Sequence, residues 1–165
     1  MKIVITGDTH IPGRGTSLPK RLIEECRIAD LILHTGDWKS TKAVQLLSSY
    51  AEVKGVVGNV DDEELHTQFP LQQIIEVKGK RIGIVHGHGT QKTTEKRAIE
   101  AFEGMSVDII VFGHSHIPIV RYMNKTLLIN PGSPTHKRKL PYYSFVVLSI
   151  DQDIRAEVIF FDSKE

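Results

Sequence analysis

Two histidines at alternate positions, His114 and His116, follow an apolar run that ends at Gly113. Side chains two residues apart on an extended segment project to the same side, so both imidazoles face one region of space. The two rings could bind a common metal centre, or they could belong to an ordinary polar turn. The pair alone does not distinguish these alternatives.

Four other apolar segments end in a similar way, with Asp, His or Asn beside a glycine. These ends are Gly7-Asp8-Thr9-His10, Gly36-Asp37, Gly58-Asn59 and His86-Gly87-His88-Gly89. Ligands of open α/β sheets bind at the carboxyl ends of the strands, and glycine lets the backbone turn sharply beside a crowded site. Any one of these polar residues is more often a cap, a turn residue or a core histidine. Five strand ends of the same kind predict one shared site.

The candidate ligands combine carboxylates, an amide and imidazoles: Asp8, His10, Asp37, Asn59, His86, His114 and His116. Pure oxygen ligation suits calcium or magnesium, whereas imidazole mixed with carboxylate suits zinc, manganese, iron or nickel. Seven side chains exceed the needs of one ion, so we expect two ions that share a carboxylate. Two divalent ions about 3.5–4 Å apart favour in-line displacement at phosphorus, with a bridging hydroxide as the nucleophile.

The elements that must position these residues alternate between two periods in the first half of the chain. Apolar strands are predicted at 2–7, 30–36 and 52–59, and helices at 19–29 and 40–51. Strands that alternate with helices imply parallel pairing through right-handed crossovers.

After residue 70 the pattern changes to hairpins. A hairpin is predicted to turn at 78–80, followed by a helix at 92–105 and a strand at 107–113. Further strands are predicted at 118–123, 125–130, 142–151 and 155–162. So much strand predicts two packed sheets flanked by helices, within a single domain that spans 1–165.

Composition excludes several classes of protein. The chain has 165 residues, 40% of them hydrophobic, and a net charge of +1, so no global field indicates nucleic acid or an anionic membrane as a partner. The single cysteine, Cys26, rules out an internal disulfide or a cysteine-based zinc site. No signal peptide or membrane-length apolar run is present, which predicts a cytoplasmic protein.

The order of these motifs resembles the calcineurin-like metallophosphoesterase superfamily. The chain length and the segment "INPGSP" at 129–134 are similar to its small single-domain prokaryotic phosphodiesterase branch. The resemblance implies a four-layer αββα sandwich of two mixed β-sheets flanked by helices. It also implies that one ion is held by Asp8, His10, Asp37 and His116, and that Asp37 bridges to a second ion held also by Asn59, His86 and His114.

One position departs from the pattern of many members of that family. Gly58-Asn59-Val60-Asp61 carries valine where those members have a histidine that assists the leaving group and contacts the phosphate. Valine cannot donate a proton, although relatives in the small prokaryotic branch also lack this histidine. His88 could partly replace it, or could instead orient a metal ligand. The predicted catalytic residues are Asp37, Asn59 and His88.

Two functions from different classes follow. The first is a two-metal phosphodiesterase that uses Mn²⁺, or alternatively Zn²⁺, Ni²⁺ or Fe, on a small-molecule or nucleotide-like diester. The second is a non-catalytic assembly scaffold, like the retromer subunit of this fold, which also lacks that histidine. The intact set of seven ligands favours the enzyme. Association into a homo-oligomer is left open.

Several other residues have less specific roles. His34 is predicted to be a core histidine or to support a ligand, and His66 and His136 to be loop residues. Trp38 either lines a substrate pocket or packs in the core. The acidic run 61–64 is predicted to be a solvated helix start. The basic run 136–139 is predicted to be a solvated loop, with a phosphate contact near the site as the alternative.

Overall fold

The computed structural model describes all 165 residues, which form ten strands and four helices. The strands are β1 Lys2–Thr6, β2 Leu31–His34, β3 Glu52–Gly55, β4 Gln72–Val77, β5 Lys80–Val85, β6 Ile109–Phe112, β7 Ile119–Met123, β8 Thr126–Asn130, β9 Tyr143–Ile150 and β10 Ile154–Phe161. The helices are α1 Lys20–Cys26, α2 Thr41–Ser48, α3 Glu63–Gln68 and α4 Thr94–Glu100. None of the four helices is long and apolar enough to cross a membrane.

The strands pair into two five-stranded mixed sheets. The first sheet has the order β10-β9-β1-β2-β3, in which β1, β2 and β3 are parallel. β9 pairs antiparallel with β1, and β10 pairs antiparallel with β9. The second has the order β4-β5-β6-β8-β7, with β5, β6 and β8 parallel. The predicted parallel crossovers and the predicted hairpin at 78–80 are therefore both present.

Three apolar clusters hold four layers together. The largest lies between the sheets and includes Ile5 and Val146 from the first sheet and Ile84 and Ile129 from the second. A second cluster packs α1, α2 and α3 on the outer face of the first sheet, and a third packs α4 on the outer face of the second. Alternate strand residues thus face different layers, as the pleat requires. The predicted αββα sandwich is confirmed.

Element boundaries differ from the sequence-based expectation at several places. The third strand was predicted to run to residue 59 but ends at Gly55. There the backbone passes so close to Trp38 that a Cβ on Gly55 would lie 2.7 Å from the indole ring. The final helix is Thr94–Glu100 and not 92–105, because Thr93 caps its start and turns replace its last residues. His66 lies within α3 and not in a loop.

Trp38 and His34 form a buried stack beneath the candidate site. Their ring centroids are 3.4 Å apart, and the Trp38 indole N–H donates to the Val56 carbonyl oxygen at 2.8 Å. Trp38 is fully buried, so it is a core residue and does not line a pocket. His34 is also buried: its Nδ1 accepts from the Gly36 N–H at 3.1 Å, and its Nε2 lies 3.1 Å from the Thr9 hydroxyl. This confirms His34 as a core histidine.

Candidate metal centre

The polar residues predicted at the strand ends lie on tight turns that follow the strands. Five of them adopt positive φ angles although none is glycine: Asp8 at 50°, His10 at 48°, Asp37 at 56°, His114 at 65° and His116 at 61°. Such left-handed conformations are uncommon for non-glycine residues, cost about 1 kcal/mol or more each, and cluster at functional sites. The strained backbone conformations of these turns direct the five side chains toward a common place.

Asp37 lies at the centre of the arrangement. Its Oδ1 is 3.3 Å from His86 Nε2, and its Oδ2 is 3.8 Å from His10 Nε2. The ligand atoms of Asp37, His86 and His114 lie within 4.8 Å of one another, and so do those of Asp8, His10 and Asp37. Two groups that could each hold a metal ion thus share one carboxylate.

Several atoms of the two groups are buried and have no hydrogen-bond partner. They are Asp8 Oδ1, His10 Nε2, His86 Nε2, His114 Nδ1 and His116 Nε2. Buried polar atoms are nearly always satisfied, since leaving one without a partner costs roughly 1–3 kcal/mol. All five are atoms that can coordinate a metal, so the side chains present fit a divalent cation.

In His86 and His116, a hydrogen bond made by Nδ1 determines that Nε2 faces the centre. The Nδ1 of His86 lies 2.7 Å from the Thr35 carbonyl oxygen, and the Nδ1 of His116 lies 2.6 Å from that of His136. A carbonyl oxygen can only accept, so each Nδ1 carries a proton and each ring turns its Nε2 toward the centre. Asp8 Oδ1 lies 3.3 Å from His116 Nε2. A carboxylate oxygen and an imidazole nitrogen at this distance can coordinate the same cation.

The pKa values of the groups around the centre favour ionised carboxylate and mostly neutral imidazole. Burial acts to raise the pKa of Asp37, but the adjacent His86 ring lowers it to about 2. Burial lowers the pKa of His114 to about 4, and it also lowers the pKa of His10. For His86, burial acts to lower the pKa, yet Asp37 and Asp8 raise it above its usual value, because the two carboxylates stabilise positive charge at this position.

Asp61 joins the loops that carry Asp37 and Gly58. Its carboxylate accepts from the backbone N–H groups of Asp37 at 3.1 Å, Lys39 at 2.7 Å and Gly58 at 2.7 Å. Within the run 61–64, Asp62 caps α3 while Glu63 and Glu64 are exposed. The prediction of a solvated helix start is thus correct for 62–64 but wrong for Asp61, which is turned inward by these three donors.

Close backbone approach at Gly58 lets Asp37 occupy its place. A Cβ on Gly58 would lie 2.1 Å from Asp37 Oδ1, a distance at which neither group could remain. On the other side of the site, the Asn130 side-chain amide donates to the Gly113 carbonyl oxygen at 2.9 Å and to the Ser115 hydroxyl at 3.1 Å. Asn130 belongs to the segment 129–134 and supports the turn that carries His114 and His116.

Two predicted site residues remain on the solvent side. Asn59 is exposed in the turn after Gly58, and its side chain makes no hydrogen bond, although the next backbone N–H, from Val60, donates to Asp37 Oδ1 at 3.2 Å. His88 is also exposed, with its ring centroid 5.4 Å from that of His86 and 6.4 Å from that of His114. The other six predicted ligands converge; Asn59 lies at their edge.

Basic side chains lie around the opening of the centre. A cavity of about 410 Å³ is lined by His10, Gly13, Arg14, Lys39 and Val60. On another side, the Arg138 guanidinium donates to the His114 carbonyl oxygen at 3.3 Å and to that of Ser115 at 3.4 Å. Exposed cations here suit an anionic ligand. The basic run 136–139 therefore borders the site, which supports the second of its two predicted roles.

Sequence reasoning missed the position of His136. Its ring centroid lies 5.0 Å from that of His116 and 5.9 Å from that of His10, so it is part of the polar cluster and not merely a loop residue. No sequence signal separated it from the lysines and arginine that follow it.

Comparisons with a protein-family model and with individual known proteins indicate the same family. Residues 1–153 match the calcineurin-like phosphoesterase superfamily domain. The chain is 32% identical to a probable metallophosphoesterase of Methanocaldococcus jannaschii over 160 residues, which is 96% of this chain and 81% of that protein.

Two solved structures share the fold. Zinc-bound Vps29 of Entamoeba histolytica superposes with a TM-score of 0.75 at 23% identity and covers 97% of this chain and 99% of that one. An archaeal phosphodiesterase superposes with a TM-score of 0.74 at 22% identity, covering 96% of this chain and 100% of that one. At these identities the similarity shows a shared fold and no more.

Asp61→Ala should destabilise the protein without removing a candidate ligand. Three backbone donors lose a charged acceptor, and such hydrogen bonds contribute roughly 1.5–3 kcal/mol each. We expect the free energy of unfolding, measured by urea denaturation, to fall by at least about 2 kcal/mol. Glu63→Ala, an exposed neighbour on α3, is the matched control and should change it by less than about 0.5 kcal/mol. Equal small effects from the two variants would contradict the positioning role of Asp61.

Proposed function

The chain belongs to the calcineurin-like phosphoesterase superfamily, and we propose that it is a two-metal phosphodiesterase. The observation that carries the proposal is the sharing of Asp37 by two groups of buried ligand atoms. Five buried coordinating atoms without hydrogen-bond partners support a centre that binds metal ions. We further propose that residues 1–165 form a single domain of this family.

Each proposed ligand set draws on both sheets. Asp8, His10, Asp37 and His116 would hold one ion, and Asp37, Asn59, His86 and His114 would hold the other. When bound, two such ions activate a shared water as the nucleophile and neutralise charge that develops on the phosphoryl group. Asp37 keeps its charge because its pKa is low, and Thr35 and His136 orient the rings of His86 and His116 through their carbonyl oxygens.

The proposed substrate is a small or nucleotide-like phosphodiester. Arg14 and Lys39 line the cavity beside His10, and no carboxylate lines it, so a phosphate can approach without repulsion. His88 would lie on the open side of the second ion, where it could contact the substrate or orient His86. Mn²⁺ is the proposed metal, with Zn²⁺, Ni²⁺ and Fe as alternatives for this donor set. The cytoplasmic location stays a prediction.

A scaffold function is the competing proposal. It draws on the likeness of the fold to that of Vps29 and on Val60, which cannot assist a leaving group. The two proposals differ in what the bound ions do: an enzyme turns over a phosphodiester, whereas a scaffold binds metal without hydrolysis. Kinetic measurements therefore separate them.

Asp37→Asn should reduce activity more than His88→Ala. Loss of a shared carboxylate removes charge from both ion sites, whereas loss of a histidine that orients a ligand typically costs about tenfold to a hundredfold. The measurement is kcat/KM for an aryl phosphodiester, with metal content determined by elemental analysis of each variant. If His88→Ala proves more damaging while both ions stay bound, His88 takes part directly in catalysis.

The dependence of the hydrolysis rate on leaving-group pKa should show that position 60 carries valine and not an imidazole. The aryloxide of an aryl phosphodiester can depart without a proton, whereas an alkoxide departs poorly without one. We therefore expect the Mn²⁺-loaded protein to cleave aryl phosphodiesters, and to cleave alkyl phosphodiesters far more slowly. Val60 is 43% exposed, and Val60→His should raise the alkyl rate by about a hundredfold or more, because proton donation by a placed side chain contributes roughly that much. The measurement is hydrolysis rate against leaving-group pKa.

The control for this variant is Leu71→His, which adds an imidazole at an exposed position outside the cavity. Leu71→His should leave the dependence of the hydrolysis rate on leaving-group pKa unchanged. Absence of any aryl diester hydrolysis by the metal-loaded protein would favour the scaffold. A flat dependence on leaving-group pKa would mean that another residue, such as His88, already donates the proton.

A further inference from the structure

His136 lies beside two of the residues proposed to hold the first ion. One nitrogen of each of His10, His116 and His136 lies within 4.8 Å of the other two. The rings of His116 and His136 meet edge to face, with centroids 5.0 Å apart. His116 Nε2 and His10 Nε2 are both buried without hydrogen-bond partners. A third imidazole thus borders the same unsatisfied atoms.

The loop that carries His136 is anchored to the loop that carries Asp8 and His10. The Ser133 hydroxyl donates to the Asp8 carbonyl oxygen at 2.8 Å, and the Thr135 hydroxyl donates to that of Thr9 at 2.7 Å. The His136 N–H donates back to the Ser133 hydroxyl oxygen at 2.9 Å. Ser133 and Thr135 are buried, so these bonds are protected from water. His136 is therefore held in place relative to His10 by side chains three residues or fewer away.

His136 is suited to coordination by the position of its main chain as well as by that of its ring. Its backbone carbonyl oxygen already accepts from His116 Nδ1 at 2.6 Å. One residue would then orient a ligand through its main chain and bind the ion through its side chain.

We infer that His136 is a further ligand of the first metal ion, beside Asp8, His10, Asp37 and His116. The inference rests on the proposed two-metal centre. With three imidazoles and two carboxylates, this ion site is richer in nitrogen than the second, which has two imidazoles. It should therefore discriminate more strongly for transition metals against Mg²⁺, which prefers oxygen ligands.

The test is a titration of the full-length, metal-free protein with Co²⁺ alone. Equilibrium dialysis gives the number of ions bound and their affinities, and the visible absorption of Co²⁺ reports the ligands around it. We expect two ions in the unaltered protein. In His136→Gln, which keeps the carbonyl oxygen that orients His116, one of the two ions should bind at least about tenfold more weakly, since even a residue that only orients a ligand is worth that much. The absorption of that ion should shift.

Two further variants make the result decisive. His66→Gln alters an exposed histidine on α3 and should change neither ion. His136→Asp supplies a carboxylate ligand at the same place and should recover part of the affinity that His136→Gln loses. Unchanged Co²⁺ affinity and absorption in His136→Gln would overturn the inference while leaving the two-metal centre intact. A raised KM of His136→Gln for an aryl phosphodiester, with both ions retained at full affinity, would overturn it in the same way. Failure of the unaltered protein to bind any Co²⁺ would overturn both.

Discussion

The site depends on one buried carboxylate that faces imidazole lone pairs on two sides. Asp37 is almost fully buried, and both of its oxygens point at histidine nitrogens and not at water. An ionised carboxylate in such surroundings costs several kcal/mol unless positive charge or hydrogen-bond donors compensate it. The Val60 N–H supplies one donor, and Asp61 holds the Asp37 backbone so that the side chain cannot turn away. The proposed cations between Asp37 and the histidines would complete the compensation.

The sandwich explains why the ligands can be brought together with so little freedom. Asp8, His10 and Asp37 follow strands of the first sheet, whereas His86, His114 and His116 follow strands of the second. The His114 N–H donates to Asp8 Oδ2 at 3.0 Å, which joins the two sets directly. The apolar core between the sheets fixes the spacing of the strands behind them. A metal centre at this edge would therefore bind both sheets together as well as act on a substrate.

Much of this arrangement could be predicted because it depends on local patterns. Apolar runs that end in glycine and a ligand residue identify both the strands and the edge at which they meet. Asp61 could not be distinguished from Asp62 or Glu63 in this way, because its donors include Asp37 and Lys39, which lie more than twenty residues earlier in the chain. The close approach of Gly55 to the Trp38 ring likewise has no local signal in the sequence.

His136 shows the same limit more clearly. In the sequence it begins a basic run between prolines, which is the composition of a solvated loop. The hydrogen bonds of Ser133 and Thr135 to the carbonyl oxygens of Asp8 and Thr9, together with that of His116 Nδ1 to the His136 carbonyl oxygen, draw it to the centre. Contacts that join residues more than a hundred positions apart leave no trace in local periodicity or composition. They are nevertheless what converts a set of strand ends into one site.

The central claim is that Asp37 is shared by two ions. Crystals grown with Mn²⁺ and measured on either side of the manganese absorption edge would locate every bound ion by anomalous scattering. The account predicts two peaks, one on each side of the Asp37 carboxylate, the first beside Asp8 and His116 and the second beside His86 and His114. A single peak, or two peaks that Asp37 does not contact, would contradict it.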